Sequence, residues 1–243
     1  MIAYIHRMSG EVHGLQAFYG SPAGQVTARL VRAQMAALWP NLKGQSILGI
    51  GHAAPYLRLW REEARSCVSL APAQIGALRW PALGASATVM AGEEGLPFPD
   101  LTFDRIVLVH GLEAAENARR LLREVWRILK DDGKLMVVVP NRRGLWAHSE
   151  TTPFGHGQPY SPSQIARLLE RHLFRVERRK AALYMPPFRW MLRAGNAWDS
   201  AGRKLWPEHF AGLLLVEAEK DVFAAVPAGT VAVRRHVLAG ESA

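Results

Sequence analysis

His110 and Glu113 stand three residues apart just past the apolar run from Ile106 to Val109, which sets an imidazole beside a carboxylate where a strand should end. Such a pair can act as a general base and its orienting group. The same residues also read as a strand-end histidine bonded to solvent and an acid favoured at the start of a helix. A second concentration of chemistry lies in PNRRGLWAHSETTPFGHGQPYS, residues 140–161, which gathers Arg142, Arg143, Trp146, His148, Glu150, His156 and Tyr160. Guanidinium forks and aromatic rings suit an anionic or aromatic substrate, and His156 joins His110 and Glu113 as a candidate for proton transfer. A loop packed for structure, its path fixed by Gly and Pro, is the alternative reading.

Other chemistries find no footing. His148 and His156 have only Glu150 near them and no HxxxH or CxxC spacing, so no metal site is expected. No GxSxG or Walker loop occurs, and GIGHAAP (residues 49–55) lacks the GxGxxG spacing of a dinucleotide site, which removes hydrolase and dehydrogenase readings. Between 186 and 210, Trp190, Trp198 and Trp206 alternate with Arg189, Arg193, Arg203 and Lys204; such a stretch can stack on bases, meet acidic lipid or cap the core.

The elements that must position these residues are legible from periodicity. Ser21 and Pro22 open a helix over 21–39, with Val26, Leu30, Val31, Met35 and Leu38 on one side. SILGIG (46–51) reads as a strand breaking into glycine, and Pro55 can open the next helix. Further strands are expected at 66–70, 88–91 and 103–110, with a helix-like stretch from Pro72 to Trp80 between the first two. A helix follows over 116–129, then a turn at Asp131, Asp132 and Gly133 and a strand over 134–139. Continuous apolar runs mark strands buried on both faces, and strands alternating with helical stretches imply a doubly wound, mostly parallel α/β sheet with helices on both faces. The tail differs. A Ser-Pro-Ser-Gln cap opens a helix over 161–173, and strand-like runs at 174–184 and 212–225 suggest a final antiparallel hairpin.

With 243 residues and a 49% hydrophobic fraction the chain can bury one large core. It reads as a single domain: an N-terminal helical cap (1–40), a core (41–185), a helical insertion (186–210), and a final strand and tail (211–243). No apolar run reaches the length of a membrane span and no signal-peptide core appears, so a cytoplasmic protein is expected. The lone Cys67 reads as a packed strand residue. The net charge of +9, mostly arginine, suggests an anionic substrate or partner or, at helical spacing, ordinary solvated faces.

Three segments together, covering roughly residues 40–185, resemble the class I S-adenosylmethionine-dependent methyltransferases, in particular the methyltransferase type 11 group. They are ILGIGHAAPYL (47–57), LPFPDLTFDRIVLVHGLE (96–113) and LLREVWRILKDDGKLMVVVPN (121–141). The resemblance implies a Rossmann-like fold, S-adenosylmethionine as cofactor, and transfer of its activated methyl to a small-molecule or macromolecular acceptor. It also implies cofactor contacts at Gly49, Gly51, His52 and Ala53, at Ser69 and Leu70, at Gly92 and Glu93, and at Val109 and His110.

The chain departs from the group's pattern at its acidic stations. Gly49 stands where the group has an acid, only Gly51 of the glycine set remains, no Asp or Glu occurs between Glu63 and Glu93, and Gly92 replaces an Asp, with Glu93 beside it. Two readings stay open: the cofactor is held by backbone, Glu93 and His110, or the fold is a non-catalytic module that offers its basic loop to RNA or protein. On the first, Gly51 leaves room for the cofactor and a larger residue there spares the fold, Glu93 reads adenine, and Arg142, Arg143, Trp146, His148 and Tyr160 govern the acceptor.

Overall fold

The computed structural model describes residues 13–73, 79–187 and 195–223. A helical stretch over 13–20 leads into α1 (Pro22–Leu38). The Ser21 side chain accepts a hydrogen bond from the Gly24 amide, and Pro22, with no N–H to satisfy, begins the helix. Next come β1 (Ser46–Gly51), the single turn α2 (Ala54–Leu57), β2 (Ser66–Pro72), β3 (Thr88–Ala91) and β4 (Phe103–Val109). They are followed by α3 (Ala118–Ile128), β5 (Leu129–Pro140), α4 (Pro162–Glu170), β6 (Phe174–Ala182), α5 (Gly195–Leu205) and β7 (Leu213–Lys220).

The strands form one sheet in the order β3-β2-β1-β4-β5-β7-β6. β1 to β5 pair in parallel, and β7 lies antiparallel between β5 and β6. This is the doubly wound sheet with an antiparallel C-terminal pair that the sequence implies. Its two faces are sorted by the period-two alternation of strands. Ile47, Val107, Val109, Met136, Val138, Leu213 and Leu215 turn toward α1, whose Val31, Met35 and Leu38 are fully buried. Leu48, Ile50, Ile106, Leu108, Val137 and Val216 turn to the other face, under Leu121, Leu122 and Val125 of α3 and Ile165 and Leu169 of α4.

Two expectations change in detail. The turn at Asp131–Gly133 is a bulge inside β5: Phe103 pairs with Leu129 and Arg105 already with Lys134, so residues 130–133 loop out opposite Asp104. The helix opened by Pro55 lasts one turn. Of the helix-like stretch expected before Trp80, residues 74–78 lie outside the described residues, as do residues 1–12 of the cap, 188–194 of the insertion, and 224–243 of the tail. Strand order reverses between β1 and β4, and the carboxyl ends of strands at such a reversal are where ligands bind in open α/β sheets.

Candidate active site at the carboxyl edge of the sheet

The site begins at the turn after β1. Gly51 has φ +89, and a Cβ there would lie 2.2 Å from the Val109 carbonyl oxygen and 2.8 Å from the Gly111 nitrogen. The His52 amide donates to the same Val109 oxygen at 2.8 Å. Gly51 is thus required by the crossing of two backbone ends, and the expectation that a larger residue there would spare the fold is corrected. Gly49 tells a similar story. A Cβ there would meet Ala53 Cβ at 2.6 Å and Leu57 Cδ1 at 2.7 Å, so α2 fills the space an acidic side chain would need.

Beyond this turn lies a cavity of about 370 Å³ lined by Tyr19, Gly51, His52, Ser69, Ala71 and Trp80, with Arg58 and Arg79 on its wall. No carboxylate lines it among the described residues. Of the expected cofactor contacts it includes Gly51, His52 and Ser69. Ala53, Leu70 and Val109 are buried in the core, and Gly92 is exposed. Glu93 is buried too, but its carboxylate accepts the Glu116 amide at 3.1 Å and the Asn117 amide at 2.9 Å. It holds the backbone leading into α3 and does not line the cavity. Burial, then His110, pushes the His52 imidazole down to about 3, so it is a neutral ring at pH 7.

Behind Tyr19 a chain of buried polar groups continues into the fold. The Tyr19 hydroxyl is 2.7 Å from the Tyr56 hydroxyl and 2.7 Å from His110 Nε2. His110 Nδ1 in turn lies 3.2 Å from Glu113 Oε1, with both side chains about 4% exposed or less. Neither Glu113 oxygen receives an aligned hydrogen bond among the described residues. His110 has φ 53, a backbone region costly for a residue with a Cβ. Its ring rests 4.6 Å from that of Phe154. Burial, then Tyr56, holds the Tyr19 phenol well above its usual value. Tyr160 is shifted upward likewise, by burial and then by Glu113.

The long loop after β5 divides its candidates. Tyr160 and Trp146 point inward: Tyr160 bridges to Asn141, and Trp146 Nε1 donates to the Met185 carbonyl at 2.7 Å. Trp146 therefore reads as a core residue. Arg142, Arg143, His148 and His156 are exposed; His148 Nε2 lies 3.0 Å from the Arg142 carbonyl oxygen. The His156 side chain is exposed, but the loop just after it backs onto the pair, the Gln158 amide donating to the Glu113 carbonyl oxygen at 2.9 Å. The fold adds Tyr19, Tyr56 and Phe154, which reasoning along the chain missed because Tyr19 is 37 residues from Tyr56 and 91 from His110.

Residues 32–178 match a family model described as a methyltransferase domain, more than half of the chain. Among curated proteins, the ubiquinone/menaquinone biosynthesis C-methyltransferase of Enterobacter sp. (strain 638) is 44% identical over 50 residues, 21% of this chain and 20% of that protein. Its counterpart in Citrobacter koseri is 41% identical over 56 residues, 23% and 22% of the two chains. The chain thus matches about a fifth of the length of these relatives. Among solved structures, an S-adenosylmethionine-dependent methyltransferase of Thermotoga maritima superposes with a TM-score of 0.59 at 16% identity, covering 90% of this chain and 100% of that one. A second, from Mesorhizobium loti, gives 0.54 at 16% identity over 77% and 96%. At that identity the likeness carries the fold.

Proposed function

This chain belongs to the methyltransferase-domain family of S-adenosylmethionine-dependent enzymes, and we propose that it transfers a methyl group to an acceptor held between the cavity and His110. The observation that carries the reading is the juxtaposition, at the β1/β4 reversal, of a cavity opening on the Gly51–His52 turn with the sealed His110–Glu113 pair. The residues present fit the nucleoside part of S-adenosylmethionine. Gly51 exposes backbone, Ser69 offers a hydroxyl where the family keeps an acid, and Trp80 offers a flat face. The acid lost at Gly49 has no room to return, and Arg58 is placed to take the methionine carboxylate. Bound S-adenosylmethionine supplies a methyl already activated on a sulfonium. The protein's share is then positioning and proton removal, with His110 as base, Glu113 as its orienting group, and Tyr160 closing the chamber from the β5 loop.

The acceptor is a small molecule or a macromolecule. Anionic character is supported by Arg79 on the cavity wall and by the net charge of +9. Residues 1–243 are taken as one methyltransferase-like domain acting in the cytoplasm, a setting that suits its single free cysteine. No described helix is long and apolar enough to cross a membrane. The test is calorimetric titration of S-adenosylhomocysteine into the wild type and Ser69→Leu. Micromolar binding that weakens at least tenfold in a well-folded Ser69→Leu supports the reading; no heat at millimolar ligand defeats it.

A further inference from the structure

We infer that the acceptor is a phenolic hydroxyl, and that Tyr19 holds its place in this conformation; this deepens the methyl-transfer reading above and rests on it. Tyr19 lines the cavity with its ring yet delivers its hydroxyl to the innermost groups of the site. The ring stacks on His52 at 5.0 Å and 24°, and meets Tyr56 edge-on at 5.9 Å and 85°. Both neighbours are uncharged. The slot is therefore flat, aromatic and tipped at its inner end by two hydroxyl-binding groups, Tyr56 and His110, each 2.7 Å from one oxygen.

The hydrogen bonds define what that oxygen would undergo. When Tyr56 donates to Tyr19 and Tyr19 donates to His110 Nε2, the imidazole proton sits on Nδ1, facing Glu113 at 3.2 Å. Glu113 is almost fully buried and both its oxygens lack an aligned donor. A carboxyl group so placed can orient the ring and favour positive charge that develops on it. The arrangement is thus set for a proton leaving the hydroxyl for Nε2. A phenol loses its proton near a pKa of about 10, within reach of an imidazole base. Burial in this slot raises the Tyr19 phenol pKa, so an acceptor there stays protonated until Nε2 takes its proton as the new O–C bond forms.

Displacing Tyr19 would shift the helical stretch over 13–20, where His13, Gly14, Gln16, Ala17 and Gly20 are exposed and Leu15 is buried. A bend at Ser21 separates this stretch from α1, and a Cβ on Gly20 would meet nothing within 4 Å. In the reaction the phenolic proton passes to His110 Nε2 while an oxygen lone pair forms the new O–CH3 bond. The S–CH3 bond of S-adenosylmethionine breaks with its electron pair going to sulfur. The products are an aryl methyl ether, S-adenosylhomocysteine and a His110 imidazolium beside Glu113, which then releases its proton to water.

The experiment uses p-cresol, the tyrosine side-chain analogue, with toluene as its hydroxyl-free control. Both are titrated calorimetrically into the full chain saturated with S-adenosylhomocysteine, and p-methylanisole formation from S-adenosylmethionine is followed by mass spectrometry. Tyr19→Ala should bind p-cresol at least tenfold tighter than wild type and favour it over toluene. It should form the ether at least tenfold faster, and adding His110→Ala should abolish that turnover. Tyr19→Phe, which keeps the ring, should fall between. If S-adenosylhomocysteine binds but neither wild type nor either Tyr19 variant makes the ether, or both Tyr19 variants make it more slowly than wild type, the phenolic assignment is overturned. Failure of S-adenosylhomocysteine to bind overturns the methyl-transfer reading and this inference with it.

Discussion

The two edges of the sheet place their acidic residues differently. At the amino edge Asp104, at the start of β4, accepts the Ser46 amide at 2.7 Å and Lys130 Nζ at 2.7 Å, with Arg65 at 3.6 Å. Glu124 accepts the Leu96 amide and Arg127, and Arg127 also reaches Asp100 and the Phe98 carbonyl. Asp104, Glu124 and Arg127 are thus each matched, although Arg105 Nε beside Asp104 is buried without a hydrogen bond among the described residues. At the carboxyl edge, by contrast, Glu113 is buried without an aligned donor and His110 carries a costly backbone angle. Leu101 at the amino edge shares that angle, so what sets the carboxyl edge apart is a buried acid–histidine pair behind a cavity, the kind of arrangement found at ligand sites. The lesson is that burial alone does not separate structural from functional polar residues; what a buried group faces matters as well.

The comparison can be pressed by substitution, beginning with the largest effect. Gly51→Ala should cost about 3 kcal/mol of unfolding free energy, because the new Cβ overlaps the Val109 carbonyl in a left-handed backbone; a denaturant melt close to wild type would show that this crossing is soft. Glu93→Ala removes the acceptor of two amides and should cost about 2 kcal/mol, with S-adenosylhomocysteine affinity unchanged by calorimetry. A selective loss of affinity would return Glu93 to the cofactor. Asp104→Ala should cost about 1.5 kcal/mol in the same melts. At Asp104 burial works to raise the pKa, but Lys130 and the Ser46 amide outweigh it and hold the carboxyl below its usual value. Its contribution is therefore present near neutrality and fades as acid protonates it, so the gap between wild type and Asp104→Ala should narrow at low pH.

The smallest effect comes from His52. Its pKa falls from 6.5 in the unfolded chain to about 3 when folded, so the native state binds fewer protons and stability drops as pH falls below 6.5. Between pH 6.5 and 5.5 the loss should be about 1 kcal/mol, and His52→Phe should flatten it. A pH dependence untouched by that change would place the titration elsewhere.

Much of the frame was legible along the chain because local signals and packing agree. The bounds of β1 and β3 follow from an apolar run ending in glycine and from a short β-branched run, and α4 begins at the Ser161–Gln164 capping box that its first residues spell out. The His110–Glu113 pair was also legible, since three residues of separation at a strand end keep two side chains together. Glu93 was misplaced for a different reason. Its amide partners lie 23 and 24 residues away, and only the docking of α3 on the sheet brings them to it. The β5 loop was half legible: Asn141 donates to the Ala211 carbonyl at 2.8 Å, and that long-range tie helps decide that Trp146 and Tyr160 turn in while Arg142 and Arg143 turn out. Tyr19 carried no signal at all, because its meaning depends on two contacts that the folded sheet alone creates.

Glu113→Gln tests the contrast between the edges most directly, read as unfolding free energy by denaturant titration near neutral pH. If Glu113 is kept beside His110 for the reaction and not for the fold, the neutral amide should leave stability unchanged or raise it, while Asp104→Ala lowers it. A fall of more than about 1 kcal/mol in Glu113→Gln, the size of an ordinary lost hydrogen bond, would mean that the carboxylate holds the fold together and that the carboxyl edge is no different in kind from the amino edge.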